Sequence, residues 1–337
     1  MAIENQIVVV AGAQGSLGKL VCEALLARAR SEGRSLLVRG LARGTGSRGT
    51  AAPLQNSPSA EGEQRLVIET VDYSSHDDLM RVCTGAYCVV STLQGLEDVL
   101  LGVQSRLLEA VIANKVRRFI PSDFSADFTK LPVGSHRNFD LRRKFHQTAQ
   151  QIIQPSKSSI EFTSIFQGGF TELLGSGWVL INYKKQRVEY FRSPDGVMEF
   201  TTWGNTAEFT AAAALDRSQT PRHFFIAGQR MSPREAQQIA KRVTGADFKL
   251  KRVMPVWLLR MVIAIMKRLK PGKKGDVMPL WVAMQYGYCG ALGVMSPERL
   301  DNDRYRGIQW TGVDDVIRSA FAEANPDLSR PSANSSH

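Results

Sequence analysis

Glycines at 12, 15 and 18 follow the apolar run Ile7-Val8-Val9-Val10-Ala11 and precede an apolar helical pattern. Glycines in that spacing suit the binding of a pyrophosphate. A turn without Cβ atoms lets the anion reach backbone N–H groups at a helix N-terminus, where the helix dipole also favours negative charge. Gly12, Gln14, Gly15, Ser16, Leu17 and Gly18 are therefore the expected pyrophosphate contacts of a dinucleotide site. A bare Gly-x-x-Gly-x-x-Gly also occurs in turns that bind nothing. The strand before it, the helix after it and its place at the start of the chain favour the ligand.

The end of the second strand decides which dinucleotide fits. An acid there accepts from a ribose 2′-OH, whereas a 2′-phosphate calls for arginine. Glu32 has the right distance from Gly12, but Ser31-Glu32-Gly33-Arg34 reads as the turn before the strand. The strand itself ends at Ala42-Arg43-Gly44, with Arg48 beyond it and no acid nearby. Arg43 is thus expected to fork onto the phosphate of NADP(H); the alternative is a solvated loop arginine. Asp72 and Tyr73, after the third strand, are expected to flank the adenine, or else simply to cap the next helix. Thr92 and Gln94, after the fourth strand, would lie beside the nicotinamide half. Ser122 and Asp123, after the fifth strand, and Gln167, after the sixth, are the expected substrate contacts, because ligands of open parallel sheets bind at the strands' carboxyl ends; the alternative for Ser122 and Asp123 is capping of the next turn.

The elements that position these residues alternate. Strands are expected at Ile7–Val10, Leu36–Ala42, Leu66–Val71, Tyr87–Ser91, Phe119–Pro121 and Glu161–Ile165. Helices are expected at 17–30, 74–84, 98–114 and 138–154, where apolar residues recur every three or four positions. Such alternation predicts an α/β fold, a doubly wound parallel Rossmann sheet with a smaller, mostly helical C-terminal substrate lobe. The organisation expected is a dinucleotide-binding core at 1–167, a lobe at 168–325 interleaved with it, and a flexible tail at 326–337. Residues 44–63, rich in Gly, Ser, Ala and Pro, read as a mobile loop. Ser232-Pro233-Arg234-Glu235 carries a capping box with Pro at the first helical position. Further helices are expected at 206–215, 256–270, 280–287 and 313–324.

The formal charge of +11 favours an anionic ligand. Nucleic acid is disfavoured as a partner, because neither a zinc spacing nor an RNA-binding aromatic signature accompanies the charge. Cys22, Cys83 and Cys88 fall in apolar elements and, with Cys289, read as reduced core thiols of a cytoplasmic protein. Met1 leads directly into a strand, so no signal peptide is expected. The most apolar stretch, Val256 to Met266, is interrupted by Arg260 and is too short to span a bilayer. A small-molecule substrate and no metal are expected; the oligomeric state is left open.

Gly-Ala-Gln-Gly-Ser-Leu-Gly at 12–18, Leu-Ala-Arg at 41–43, Val-Asp-Tyr-Ser at 71–74 and Arg-Arg-Phe-Ile-Pro-Ser-Asp-Phe at 117–124 together resemble the NmrA-like and isoflavone-reductase-like atypical short-chain dehydrogenases. Phe166-Gln167-Gly168-Gly169-Phe170, Glu199-Phe200-Thr201-Thr202 and Asn205-Thr206-Ala207 continue the resemblance. It implies a Rossmann core and NADP(H) binding, in a family divided between reductases of aromatic or phenolic substrates and nucleotide-sensing regulators that turn over nothing. The chain departs from the short-chain dehydrogenase pattern in one respect: no tyrosine has a lysine four residues on. The reductase branch instead places a lysine on the helix after strand five. Lys144 is the nearest match and the expected catalytic residue, provided burial tunes it; the alternative is an ion pair with Asp140 on a wet helix face. His146, two residues on, reads as a surface or packing histidine. Asn205 stands where the family commonly has Asp. Trp257, Trp281, Tyr286 and Tyr288 read as ordinary core, the alternative being an aromatic pocket or lid, and the 256–270 helix as burying its apolar face against the domain, the alternative being contact with a membrane surface.

Overall fold

Val8, Val9 and Val10 are each fully buried, so the strand that carries them is covered on both faces. That strand, β1 (Gln6–Ala11), lies at the centre of a six-stranded parallel sheet with β2 (Leu36–Arg43), β3 (Arg65–Val71), β4 (Cys88–Ser91), β5 (Arg118–Ile120) and β6 (Glu161–Phe162), in the order β3-β2-β1-β4-β5-β6. The computed structural model describes residues 6–44, 64–177, 179–294 and 296–326. The expected loop beyond Gly44, Arg48 and the tail beyond Pro326 lie outside them.

One face of the sheet, with Val8 and Val10, is covered by α1 (Ser16–Ser31). The other, with Val9 and Ala11, is covered by α2 (His76–Cys83), α3 (Gln104–Ala113) and α4 (Arg137–Ser156). This is the doubly wound arrangement expected. The strand order reverses between β1 and β4, which opens a crevice at their carboxyl ends. The C-terminal part of the chain contributes α5 (Trp203–Leu215) to the first face. Ala211 to Ala214 on α5 are buried and carry short side chains, so this helix joins the same core as α1. The rest is α6 (Pro233–Thr244), α7 (Val256–Leu269), α8 (Leu280–Leu292) and α9 (Asp314–Ala324), with short strands between them. The Ser232 capping box forms as expected.

Three local departures have identifiable causes. Residues 98–114 do not wind as one α-helix: Asp98–Val103 is π-wound and leads into α3. At that junction the buried Gln104 bridges segments, donating to Leu100 O and accepting from Ser122 N. The sixth strand breaks at Thr163; Ser164–Phe166 pairs instead with His223–Phe225. Asn205 donates to Gln309 O at 2.8 Å and accepts from Thr311 N at 2.8 Å. Aspartate has no donor for the first bond, which accounts for the amide here.

His136 caps α4. Its Nδ1 accepts from the N–H groups of Asn138 and Phe139, and its ring stacks on Phe139 at 4.3 Å. Burial, reinforced by the charges of Arg142 and Arg137, pushes its pKa from the usual 6.5 down to about 3. The unfolded chain therefore binds a proton that the folded one refuses, and stability falls as pH drops below the ordinary histidine value. Between about pH 7 and pH 5 the expected loss is on the order of 1–2 kcal/mol. His136→Asn keeps a capping acceptor without the titration and is expected to flatten the urea-midpoint profile across that window. An unchanged pH slope in that variant would show that His136 is not its source.

Candidate functional site

The glycine turn is held from below. Gly12 adopts φ +82°, a conformation that favours glycine, and its carbonyl accepts from Gly15 N at 2.9 Å. A Cβ on Gly18 would lie 2.2 Å from Gly12 O and 2.8 Å from Thr92 Oγ1, so Gly18 is required by the fold itself. Gly15 differs: a Cβ there would meet only Gly12 O, at 3.3 Å, and the residue is exposed. Space at Gly15 is kept free on the solvent side, above the N-terminus of α1, whose first turn presents N–H groups without intrahelical acceptors. Ser16 is exposed beside it, while Gln14 and Leu17 are half-buried.

Thr92 and Tyr73 brace this turn. The Thr92 hydroxyl donates towards Ala11 O (2.9 Å) and Gly12 O (3.2 Å), and its backbone N–H bonds Ala11 O. The Tyr73 hydroxyl accepts from Gly12 N at 3.2 Å. Tyr73 is 6% exposed, and burial pushes its phenol up to about 12 despite the Gly12 bond and the charge of Arg43. It therefore sits in the core beneath the turn, not at the rim where an adenine neighbour would be expected. Asp72 is exposed and accepts from both Ser74 N and Ser74 Oγ, hydrogen bonds that hold its carboxyl below the usual range. This turn leads into α2, whose N-cap is Ser75.

Arg43 ends β2 opposite Val71 and is exposed, its side chain without a hydrogen bond or ion pair among the described residues. Glu32 caps the C-terminus of α1, paired with Arg28 and Arg34 at 2.9 Å each. It is thus committed elsewhere, as the turn reading required. Gln94 is exposed in the loop after β4.

The three expected substrate contacts are buried. The Ser122 hydroxyl donates to Leu93 O at 2.7 Å, tying the loops after β4 and β5 together. Asp123 is fully buried; its Oδ2 meets His146 Nε2 at 2.6 Å and accepts from Ser164 Oγ at 2.7 Å. Burial alone would raise its pKa, but the His146 contact and the bond from Ser164 hold it below the usual range. Gln167, also fully buried, donates to Gly168 O, and its backbone is tied to Ser125. Ser125 Oγ in turn donates to Asp123 O. Among the described residues Asp123 Oδ1 and Gln167 Oε1 lack a hydrogen-bond partner, so two buried acceptors remain unspent in connected segments.

Lys144 departs from its expectation. The buried face of α4 carries Phe139, Leu141, Phe145 and Ala149, which turns Lys144 outward. Its side chain is 57% exposed and pairs with Glu97 at 3.7 Å, while Asp140 pairs with Arg143. The burial required to tune it is absent. His146 is the residue missed: its side chain is only 12% exposed, its Nε2 lies 2.6 Å from Asp123 Oδ2, and its ring packs edge-on against Phe128 and Phe162. The helical phase of Phe139, Arg142, Phe145 and Ala149 was the available signal, because it turns 146 towards the sheet. His223 lies alongside, its ring 6.3 Å from that of His146.

All four cysteines are buried free thiols pushed up to about 12 by burial, so none is an activated nucleophile. Among the described residues no group of His, Cys, Asp or Glu is placed to hold a metal ion. No helix among them is long and apolar enough to cross a membrane.

The sequence model of the NmrA-like family matches residues 4–271. Similar solved structures include AtPrR2 with NADP+ and (+)pinoresinol (18% identity, TM-score 0.70), covering 94% of this chain and 99% of that one. The leucoanthocyanidin reductase–NADPH complex from Vitis vinifera (16%, TM-score 0.67) and an isoflavone reductase (14%, TM-score 0.67) cover the same shares. At these identities the likeness is one of fold. No curated protein sequence matches the chain.

Proposed function

The chain belongs to the NmrA-like family, and from that premise we propose that it binds NADP(H) on the glycine turn and reduces a small carbonyl or aromatic substrate. The observation that carries the reading is the exposed space at Gly15, above a turn that Gly12, Gly18, Thr92 and Tyr73 hold rigid. Backbone N–H groups of the first turn of α1, with Ser16 and Leu17, would hold the pyrophosphate, and Arg43 the 2′-phosphate. Gln94 and the Thr92 backbone would border the nicotinamide, which supplies hydride when bound. The similar structures solved with NADP+ and NADPH support this assignment. Four unpaired thiols fit a reducing, cytoplasmic compartment.

Two groups of this chain are available to meet the negative charge that develops on a carbonyl oxygen. Lys144 Nζ stands at the rim next to Glu97, in the segment that follows Gln94. His146 is the second: Asp123 holds its Nε2, which leaves Nδ1 as the ring nitrogen to serve a substrate, a donor when the ring carries both protons. If Lys144 acts on the substrate, Lys144→Met lowers kcat by about 10²–10³ and leaves NADPH affinity unchanged. NADPH absorbance with a panel of aromatic aldehydes, enones and quinones measures this. Turnover indifferent to Lys144→Met but lost in His146→Gln moves the role to the Asp123–His146 pair.

The exposure of Lys144, together with the lack of any Tyr-x-x-x-Lys, favours a second reading, a nucleotide-sensing regulator. In that case NADPH binds without turnover across the panel, Lys144→Met is silent, and NADPH changes association with a partner.

A further inference from the structure

Helix α7 buries only Leu259 and Ile263. Its other large apolar side chains include four that point outward: Trp257 is 64% exposed, Met261 52%, Ile265 51% and Leu269 73%. Four-residue spacing aligns them in one stripe along the helix. Met278 and Leu280, at the start of α8, which packs on α7, are exposed as well. The expectation that this helix turns its apolar face to the domain therefore holds for one face only, and Trp257 is not core. A contiguous exposed apolar surface of this kind marks an interaction site.

The charges around the stripe select its occupant. Arg260, Ala264 and Arg268 form the adjacent exposed stripe, and Lys267, Lys270, Lys273 and Lys274 cluster at the C-terminal end of α7 and just beyond it. From Phe248 to Gly275 the chain carries nine Lys and Arg residues and no Asp or Glu. A second copy of this chain seated on the stripe would add nine more cations from the same segment and no acid to offset them. An acyl surface with anionic headgroups satisfies the apolar stripe and the cations together. Trp257 has the amphipathic ring that favours the level of the headgroups. We propose that α7 and the start of α8 seat the protein peripherally on anionic phospholipid bilayers, with α7 lying in the plane of the interface. This inference is independent of what the glycine turn binds.

Flotation of the full-length protein with phosphatidylcholine vesicles, with and without phosphatidylserine, tests it. The expected result is binding to the anionic vesicles only, weakened by salt. Trp257→Glu with Ile265→Glu is expected to lower the partition coefficient at least about tenfold, with an unchanged circular dichroism spectrum. Replacing Lys267, Lys270, Lys273 and Lys274 by Gln is expected to cost about tenfold or more on the same vesicles. Absence of binding to anionic vesicles, or equal binding by the Trp257→Glu, Ile265→Glu variant, overturns the proposal. A dimer in light scattering that Trp257→Glu dissolves also overturns it, because the stripe would then be covered by a second copy.

Discussion

Arg118→Leu is expected to destabilise the protein by about 3–5 kcal/mol. Arg118 is fully buried on β5, at the meeting point of the sheet and the C-terminal region. Its Nε faces Glu161 Oε2 (2.9 Å) and Thr220 Oγ1 (3.0 Å); Nη1 donates to Ala213 O (2.6 Å) and Asp216 O (2.8 Å); Nη2 donates to Glu161 Oε2 (2.5 Å) and Ser218 O (2.9 Å). Removing the guanidinium takes a donor from three carbonyls, of which Asp216 O keeps the Tyr87 hydroxyl, and takes from Glu161 Oε2 its cationic partner, leaving it only the Thr220 N–H and hydroxyl. Arg117 reaches only the other Glu161 oxygen, from a more exposed position. Arg118→Lys keeps the charge but not the fork, so most of the loss should persist. Arg118→Leu with Glu161→Leu should recover part of it, because the uncompensated carboxylate goes as well. Urea unfolding measures each. A loss below about 1 kcal/mol for the single variant would show that the network is not the strut its geometry describes.

The second large effect separates two glycines that look alike in the sequence. Gly18→Ala places a Cβ 2.2 Å from Gly12 O, so helix and turn have to part; both stability and NADPH binding should fall. Gly15→Val meets the protein only at 3.3 Å and points its bulk at the exposed side. It should stay folded, at a cost of about 1 kcal/mol for a poor helix cap, yet lose NADPH affinity by two orders of magnitude or more, on the order of 3 kcal/mol. Calorimetric titration beside a thermal melt reads both quantities. A folded Gly15→Val that still binds NADPH would place the pyrophosphate elsewhere.

What was legible from residues alone followed local periodicity and local turn chemistry. The six strands, the glycine turn, the Ser232 capping box and the dismissal of Glu32 all rest on neighbours within a few positions. What was not legible depends on contacts between segments far apart in the chain. The His146–Asp123 pair joins residues 23 positions apart, and the Tyr73–Gly12 bond joins residues 61 apart. The outward turn of Lys144 follows from the half of α4 that the sheet covers, which the adjacent basic residues Arg142 and Arg143 obscure. Helix α7 shows the same limit from the other side. Its apolar pattern is plain, but periodicity does not say which of two apolar faces finds a partner within the chain. The break at Thr163 arises because Ser164–Phe166 pairs with His223–Phe225, a strand that single-segment patterns do not announce.

The central claim is that the glycine turn and Arg43 together hold NADP(H). Parallel calorimetric titrations of the unmodified protein with NADPH and NADH test it most directly. The account predicts that NADPH binds at least about tenfold more tightly, and that Arg43→Ala weakens NADPH by about 1.5–3 kcal/mol while leaving NADH nearly unchanged. Equal affinity for the two dinucleotides, or no binding of either, would contradict it.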